Sequence, residues 1–327
     1  MTRISMLNGG AAALAVVTAM IATGLGRTPE MVVTRRAVIE DQVAYVDLGD
    51  GRRGIADAGG TVVAAGGFVR IVSASTVADW LLSELCESKR VLAYTERSVR
   101  GAPWRHRFSG TRTIGSLDDL EAILGLQPDL VLIESYGDPR RVARLRERGL
   151  AVFDLGEMRG MATLVPAIRT VGALVGRGEL GERMALRFGR AMKALAADVP
   201  VGEWPSAAYV SAYGTQLFGG TKGTTYHDVL HAAGLVDVAA ARYEGWPQYS
   251  REELLALDPE LIVTRTGGGQ ALCRLAGLER LRACGAAGRI IELESFALDD
   301  PGLGMLEAAE ALFAAVHGQP GRHGRAP

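Results

Sequence analysis

The sequence has few cysteines, few aromatic residues and no excess of charge of either sign. Its 327 residues include 3 cysteines, 6% aromatic residues, 36 lysines and arginines, and 37 aspartates and glutamates, for a formal net charge of -1. Three cysteines cannot provide the dense disulfide framework of a small secreted domain. A balanced charge gives no general attraction to nucleic acid, so no nucleic-acid partner is expected.

Signature motifs of common hydrolases are also missing. The sequence contains no G-x-S-x-G elbow, no H-E-x-x-H motif and no C-x-x-C pair. His227 and His231 lie four residues apart on a predicted helix, but no clear third ligand accompanies them, so a solvated helix face is favoured over a metal site. The sequence therefore favours a protein that is not an enzyme and that carries no cofactor.

The N-terminal apolar run is shorter than the roughly 20 residues that a membrane-spanning helix needs. Arg3 precedes an uncharged stretch over residues 4–26, whose continuous apolar part, AAALAVVTAMIA, covers residues 11–22. This pattern is typical of a secretory signal. We predict that residues 1–26 are a signal peptide or a retained N-terminal anchor, and that the protein is periplasmic or otherwise extracytoplasmic.

In such a compartment Cys273 and Cys284 could pair, but both fall in a predicted helix near residues 272–284, which favours packing as small buried hydrophobes.

The most informative feature that is present is a short stretch that occurs twice. Residues 121–132 read EAILGLQPDLVL and residues 252–263 read EELLALDPELIV, with Pro128 and Pro259 in the same place. Each copy predicts a short helix, a turn marked by proline and a buried strand, which is one unit of a layered α/β domain. Two copies this far apart indicate two related lobes with a working site between them.

The rest of the chain fits the same α/β plan. Strand-like fragments separated by glycines predict a β extension over residues 27–67, and alternating strands and helices predict an N-terminal lobe over 68–158 and a C-terminal lobe over 201–317. Residues 159–200 are mostly helical, with a break at 176–178, and predict a stiff helical connector. Residues 318–327 predict a flexible tail.

Several segments together resemble a known family, the periplasmic substrate-binding proteins of ABC importers for iron siderophores, haem and vitamin B12. They are residues 70–73 (RIVS), both copies of the repeat, residues 219–234 (GGTKGTTYHDVLHAAG), residues 288–293 (GRIIEL), residues 300–302 (DPG) and the C-terminal helix. The resemblance covers about residues 60–317. It implies two Rossmann-like lobes with parallel-rich sheets, a long helix joining them, a ligand cleft between them, little hinge closure and no catalysis.

The leading glutamates of the repeat are candidates for contacts with a partner. Ser250 and Glu253 form a capping-box pattern, and Asp119 takes a related place after Ser116, so Glu121 and Glu252 are left without a structural use. Family members dock to a two-fold permease through such acids, and the resemblance implies that Glu121 and Glu252 contact a permease dimer. The alternative is a pair of solvated surface acids; the duplication favours docking.

Two sets of residues are candidates for ligand binding. The loop over residues 95–112 is long for a simple connection and carries five arginines interleaved with aromatic residues. Guanidinium groups suit carboxylate or catecholate ligands and aromatic rings suit a large chelate, so this loop favours an anionic organic ligand and contributes Trp104 and Arg105. Strand ends contribute the other candidates, because ligands of parallel sheets bind beyond the carboxyl ends of the strands. These candidates are Ser75, Tyr136, Tyr213, Trp246, Arg265 and Phe296.

The sequence thus predicts a monomeric, exported solute-binding protein that passes a metal chelate to an ABC importer. A ferric siderophore is favoured as the ligand, with cobalamin second. Haem is third, because the resemblance places a tyrosine in the loop after the second strand of haem-binding members, and residues 95–107 contain none. An enzyme or a sensor on the same bilobed scaffold is the alternative from another class.

Overall fold

A computed structural model describes residues 37–40, 43–49, 51–99, 102–115, 119–134, 139–199, 204–285, 289–294, 298–299 and 301–318. These residues belong to one compact unit, which begins at Arg35. Tyr136, Phe296 and the predicted signal at 1–26 lie outside the described residues.

A small antiparallel sheet precedes the first lobe. Its strands follow one another in chain order as β1 (Ala37–Glu40), β2 (Val43–Asp47), β3 (Arg53–Ala56) and β4 (Val62–Ala64). Asp57, in the turn after β3, fixes this sheet to the first lobe: its carboxylate accepts from the guanidinium of Arg146 at 2.5 Å and from the amide of Asp154 at 3.3 Å. Because Asp154 lies on an edge strand of the next sheet, the turn covers groups that would otherwise be open to pairing with another strand.

The first lobe contains a five-stranded parallel sheet in the order β7-β6-β5-β8-β9. The strands are β5 (Ile71–Ser73), β6 (Val91–Thr95), β7 (Arg112–Ile114), β8 (Leu130–Ile133) and β9 (Val152–Asp154). The helices are α1 (Thr76–Leu85), α2 (Leu120–Gly125) and α3 (Pro139–Glu147). The 95–112 loop forms two 3-10 segments, Glu96–Val99 and Pro103–Phe108.

The connector forms two helices, α4 (Met161–Leu174) and α5 (Gly178–Ala197), with the break where the sequence predicted it. They pack closely because Gly172 and Gly181 face each other: a Cβ on Gly172 would lie 2.9 Å from the Cα of Gly181. An ion pair between Arg169 and Glu182, at 2.5 Å, fixes the same contact.

The second lobe contains a mixed sheet with the path β13-β11-β10-β14-β15, and β12 pairs with β10 in parallel. The strands are β10 (Ser206–Tyr213), β11 (Gln216–Gly220), β12 (Val236–Asp237), β13 (Gln248–Tyr249), β14 (Leu261–Arg265) and β15 (Arg289–Leu293). The helices are α6 (Thr225–Ala232), α7 (Arg251–Leu257), α8 (Gly268–Cys273) and α9 (Gly304–His317). The fold class predicted from the sequence, two α/β lobes with parallel-rich sheets and a long helix, is confirmed.

The repeated stretch has the same backbone in both lobes. Gln127 (φ 48°) and Asp258 (φ 37°) are the two non-glycine residues with positive φ in the described part of the chain. Each directly precedes the proline of its copy, Pro128 or Pro259. The acid after each proline then ties two strands together: Asp129 accepts from the amides of Val69 and Arg70 at 2.8 and 2.9 Å, and Glu260 accepts from the amide of Ser206 at 2.7 Å. The proline and acid of the repeat are therefore structural.

Two local predictions were wrong. Asp119 is the N-cap residue of α2 and makes no side-chain capping bond; its carboxylate accepts from the amide of Gly115 at 3.2 Å. Cys273 and Cys284 do not share a helix, because α8 ends at Cys273 and two short 3-10 turns follow. This compact turn brings their Cα atoms to 5.7 Å, and the two residues form a disulfide. The capping box at Ser250 and Glu253 is confirmed.

Candidate functional site

Several candidate residues lie at the carboxyl ends of parallel strands in the two lobes. Ser75 follows β5, while Tyr213 and Arg265 are the last residues of β10 and β14. This is the edge at which ligands bind in parallel α/β sheets. Glu134, which follows β8, lies beside Ser75 and was missed from the sequence. Its position directly after a buried strand was the available signal.

Ser75 and Glu134 together fill the N-terminus of α1. The Ser75 hydroxyl accepts from the amide of Ala78 at 2.9 Å, as an N-cap does, and donates to Glu134 Oε1. The same carboxyl oxygen accepts from the amide of Val77 at 3.3 Å. Burial raises the pKa of Glu134, although the bonds from Ser75 and Val77 and the nearby charge of Arg97 partly offset the effect. The helix end at this edge thus already holds an acidic side chain.

A buried acid on α1 fixes the start of the 95–112 loop. Asp79 is fully buried, and its Oδ2 accepts from the amide of Thr95 at 3.0 Å and from the Thr95 hydroxyl at 2.6 Å. Thr95 ends β6, so these bonds fix the direction in which the chain leaves the sheet. No sequence pattern indicated this role of Asp79.

Trp104 packs inside the loop. Its side chain is 4% exposed, and its ring meets those of Tyr94 and Phe108 edge to face, with centroids 6.0 and 5.5 Å apart. Such a cluster of rings stabilises the loop as a small core of its own. The predicted role of Trp104 as a ligand wall gains no support from these contacts.

Arg105 lies beside Trp104 but faces outward. It lines an open depression of about 660 Å³ together with Glu96, His106, Tyr94 and residues of the 108–113 segment. The His106 ring lies 2.9 Å from the backbone oxygen of Pro103. The depression combines a cation, an acid and an aromatic floor.

In the second lobe, Arg265 is held by two side chains. Its Nε lies 2.7 Å from Oδ2 of Asp299, and its Nη1 donates to the hydroxyl of Tyr213. The guanidinium also stands 5.2 Å from the centre of the Tyr213 ring. Tyr213 is 52% exposed, so its ring offers apolar surface at the sheet edge. These bonds bring together two residues that the sequence placed at this edge separately.

Two stacked tyrosines, Tyr209 buried and Tyr226 partly buried, contact Asp299 on the side away from Arg265. The rings of Tyr209 and Tyr226 stack with centroids 3.7 Å apart, and their hydroxyls lie 3.5 and 3.0 Å from Oδ1 of Asp299. Burial, together with the neighbouring Tyr209 and Asp299, raises the pKa of Tyr226 far above its ordinary value. Tyr226 is therefore a neutral donor to Asp299, which no sequence pattern indicated.

Trp246 lies at the seam between the connector and the second lobe. Its side chain is 44% exposed, and the guanidinium of Arg159 stands 5.9 Å from its ring centre. Arg159 also pairs with Glu157 at 2.7 Å. Beside them, the amide of Met161 at the start of α4 donates to Asp228 of α6 at 2.6 Å. Burial raises the pKa of Asp228. The second lobe thus caps the first connector helix.

The two histidines of α6 have different neighbours. The His227 ring lies 2.8 Å from Oδ2 of Asp237, which also accepts from Thr221, while the His231 ring packs edge to face against Trp204. The hydrogen bond to Asp237 is the main cause that raises the pKa of His227. Among the described residues, no group of three or more His, Cys, Asp or Glu side chains could hold a metal ion.

Glu121 and Glu252 occupy equivalent positions. Each is the second residue of the helix that opens its copy of the repeat, α2 or α7, and each side chain is exposed. Within the described part of the chain, neither carboxylate has a hydrogen-bond or ion-pair partner. The pair therefore presents one acid per lobe to the surroundings.

None of the described helices combines the length and the apolar character needed to cross a bilayer. A family model described as periplasmic binding protein matches residues 61–295, and the chain belongs to this family. This match confirms the resemblance seen in the sequence. The four-stranded sheet at 37–64 lies almost wholly before the matched region.

Two relatives found by sequence are named for cobalamin. A cobalamin-binding protein of Halobacterium salinarum is 24% identical over 210 residues, which cover 62% of this chain and 57% of that protein. A vitamin B12-binding protein of Salmonella typhi is 28% identical over 155 residues, 47% of this chain and 58% of that protein. The chain thus matches somewhat more than half the length of these relatives.

Solved structures show the same fold. The periplasmic haem-binding protein RhuT from Roseiflexus sp. RS-1, in apo form, is similar with a TM-score of 0.64 at 23% identity, over 76% of this chain and 99% of that chain. A possible iron-binding, periplasmic solute-binding protein from Staphylococcus epidermidis is similar with a TM-score of 0.66 at 14% identity, again over 76% and 99%.

Proposed function

We propose that this protein captures a metal-containing tetrapyrrole in the cleft between its lobes and delivers it to an ABC importer. The observation that carries the proposal is the family membership combined with sequence relatives named for cobalamin. The cleft edge offers what a large ring system needs: exposed aromatic surface from Tyr213 and Trp246, and arginines beside it at Arg265, Arg159 and Arg105. Ser75 and the unplaced Tyr136 and Phe296 stay candidates for the same surface.

The ligand class differs from the one that the sequence favoured. A ferric siderophore was first, but the relatives named above are cobalamin binders, and none of them is named for a siderophore. An anionic siderophore would also meet acids at both sides of the cleft, namely Glu134 and Asp299. Binding, rather than catalysis, is the activity that the family and the named relatives support.

Haem is a second candidate, and one contact favours it. The Tyr213 hydroxyl accepts a hydrogen bond from the Arg265 guanidinium at the exposed edge of the cleft. Tyrosine oxygen is one of the protein ligands that hold haem iron. Tyr213 thus supplies, from the second lobe, the tyrosine that the 95–107 loop lacks.

The remaining parts of the proposal concern delivery. The protein would be exported by its N-terminal segment, act as a monomer in the periplasm, and dock to a two-fold permease dimer through Glu121 and Glu252. Equivalent exposed acids on two similar lobes suit a partner that presents the same cationic surface twice. Neither nucleic acid nor a cofactor has a part in this function.

A ligand panel tests the proposal. Purified protein is titrated with cyanocobalamin, haemin and a ferric siderophore while tryptophan fluorescence is followed, because Trp246 is an exposed candidate ligand residue. We expect saturable quenching by a tetrapyrrole and none by the siderophore. The variant Trp246→Phe should remove most of the quenching but keep binding measurable by calorimetry. Saturable siderophore binding without tetrapyrrole binding would reject the proposal.

A further inference from the structure

Arginines among the candidate ligand-binding residues and beside them have acids of the protein as neighbours. In the second lobe, Arg265 pairs with Asp299 at 2.7 Å. At the seam, Arg159 pairs with Glu157 at 2.7 Å. In the first lobe, Arg105 lines the same depression as Glu96. A guanidinium with an acid beside it attracts an incoming carboxylate much less than an isolated one does.

Asp299 is fixed firmly enough to stay beside Arg265 when a ligand enters. One of its oxygens faces Arg265, and the other faces the hydroxyls of Tyr226 and Tyr209 at 3.0 and 3.5 Å. Moving it aside would leave these buried hydroxyls without their acceptor, which is costly. The side chains of Arg265 and Asp299 are 32% and 28% exposed, so a ligand meets both charges.

At the N-terminus of α1 in the first lobe, too, an acid of the protein already occupies the position that a ligand anion would take. The N-terminus of α1 is a favourable place for an anion, but Glu134 Oε1 already accepts from Val77 there, with Ser75 beside it. Its oxygen fills this position in either protonation state. A ligand carboxylate would therefore find an acid, and not open amides, at this edge.

We infer that the cleft selects a tetrapyrrole whose periphery carries neutral amides over one that carries ionised carboxylates, with Asp299 and Glu134 as the residues that set this preference. The inference rests on the proposed function. An amide both donates and accepts, so it can donate to Asp299 and accept from Arg265 at the same time. A carboxylate can only accept; Asp299 repels it, and Glu134 already occupies the helix N-terminus that would otherwise attract it.

Two corrinoids that differ in this respect provide the test. Dicyanocobinamide carries amide side chains, dicyanocobyrinic acid carries carboxylates on the same ring, and neither has the nucleotide of cobalamin. We expect dicyanocobinamide to bind to the wild-type protein at least about tenfold more tightly in calorimetry at neutral pH. Haemin, with two carboxylates, should also bind more weakly than dicyanocobinamide.

Asp299→Asn identifies the source of the preference. This variant keeps an oxygen that can accept from Tyr226 but removes the negative charge beside Arg265. We expect the affinity for dicyanocobyrinic acid to rise about tenfold, with little change for dicyanocobinamide. The matched control is Asp258→Asn, because Asp258 forms a similar pair with Arg282, at 2.9 Å, where α7 ends. It should change neither affinity.

The outcomes separate the inference from the proposed function. Binding of dicyanocobyrinic acid or haemin as tight as that of dicyanocobinamide would overturn the inference and leave the proposed function intact. Failure of all three to bind would reject the proposed function itself. An unchanged ratio of the two corrinoid affinities in Asp299→Asn would overturn the role of Asp299. If that variant does not fold, Glu134→Ala, which opens the amide of Val77 to a ligand carboxylate, provides the comparison from the first lobe: an unchanged ratio of the two corrinoid affinities there would overturn the role of Glu134.

Discussion

Single residues fix the seam between the connector and the second lobe. Gly160 has φ 84°, a backbone conformation that favours glycine, and a Cβ there would lie 2.2 Å from Oδ2 of Asp228. Since that oxygen accepts from Met161 at the start of α4, a side chain at position 160 would disturb both the backbone and the cap. The glycine and the aspartate are separated by 68 positions, so only the folded chain shows that each requires the other.

We expect Gly160→Ala to lower the free energy of unfolding by about 1–3 kcal/mol, because it combines backbone strain with a clash. Urea denaturation measures the change. Gly189→Ala is the control, because Gly189 lies inside α5 and a Cβ there would meet no atom within 4 Å. That variant should stabilise the protein by about 0.5–1 kcal/mol. An unchanged free energy of unfolding in Gly160→Ala would contradict the need for glycine at this position.

His227 gives stability that depends on pH. Its pKa is raised by Asp237, so the folded state favours the protonated ring more than the unfolded state does. The contribution is fully present below the unfolded pKa, about 6.5, and is lost as the pH rises through the folded pKa. We expect His227→Gln to cost about 1 kcal/mol near pH 5.5 and progressively less towards pH 9, as measured by urea denaturation at each pH. His106→Gln, at a ring beside a backbone carbonyl, is the control. A loss of stability in His227→Gln that does not vary with pH would contradict the pairing of protonated His227 with Asp237.

At the scale of elements, the repeated αβ unit separates structural residues from exposed ones. In both lobes the residue before the proline has positive φ, and the acid after the proline ties β8 to β5 or β14 to β10. The second residue of each opening helix, Glu121 or Glu252, makes no such structural contact within the described part of the chain. Because α2 and α7 hold equivalent places in the two lobes, the two acids lie at matching positions of related surfaces.

We expect Glu121→Ala combined with Glu252→Ala to abolish uptake of the ligand in cells while leaving its affinity for the purified protein unchanged. Each alanine removes a negative charge without touching the cap or the core, so the loss would come from the permease contact. Glu147→Ala with Glu310→Ala is the matched control, since both acids are exposed and the change in net charge is the same. Wild-type uptake by the first double variant would reject docking through this pair.

At the scale of the whole molecule, the lobes are joined by packed helices and by contacts at both ends of α4. The connector consists of two closely packed helices, and α4 is capped by Asp228 of the second lobe while its last turn accepts the amide of Gly66 at 3.1 Å. The described residues belong to a single compact unit. A large hinge rotation would have to break these contacts at both ends of α4.

We therefore expect small-angle scattering profiles of the protein with and without a saturating tetrapyrrole to superimpose. The contacts at both ends of α4 hold the lobe spacing, so ligand binding should change little beyond side chains. Asp228→Ala should loosen the seam and allow a measurable difference between the two profiles. A clear decrease in the radius of gyration of the wild-type protein on binding would contradict a stiff connector.

The sequence by itself determined the two lobes, many of their helices and strands, and the internal repeat. These features depend on local patterns: the period of apolar residues, the proline turns, and the glycines at the break between α4 and α5.

Only the tertiary structure decided which side chains meet at the cleft. Arg265 meets Asp299 and Tyr213, Ser75 meets Glu134, and Trp104 turns inward to Tyr94 and Phe108. These contacts join residues from different loops that converge at the ends of parallel strands, and their partners are set by sheet order, which no local pattern encodes. Arg265, which the sequence offered as a cation for an anionic ligand, is for this reason already paired with Asp299 of the protein.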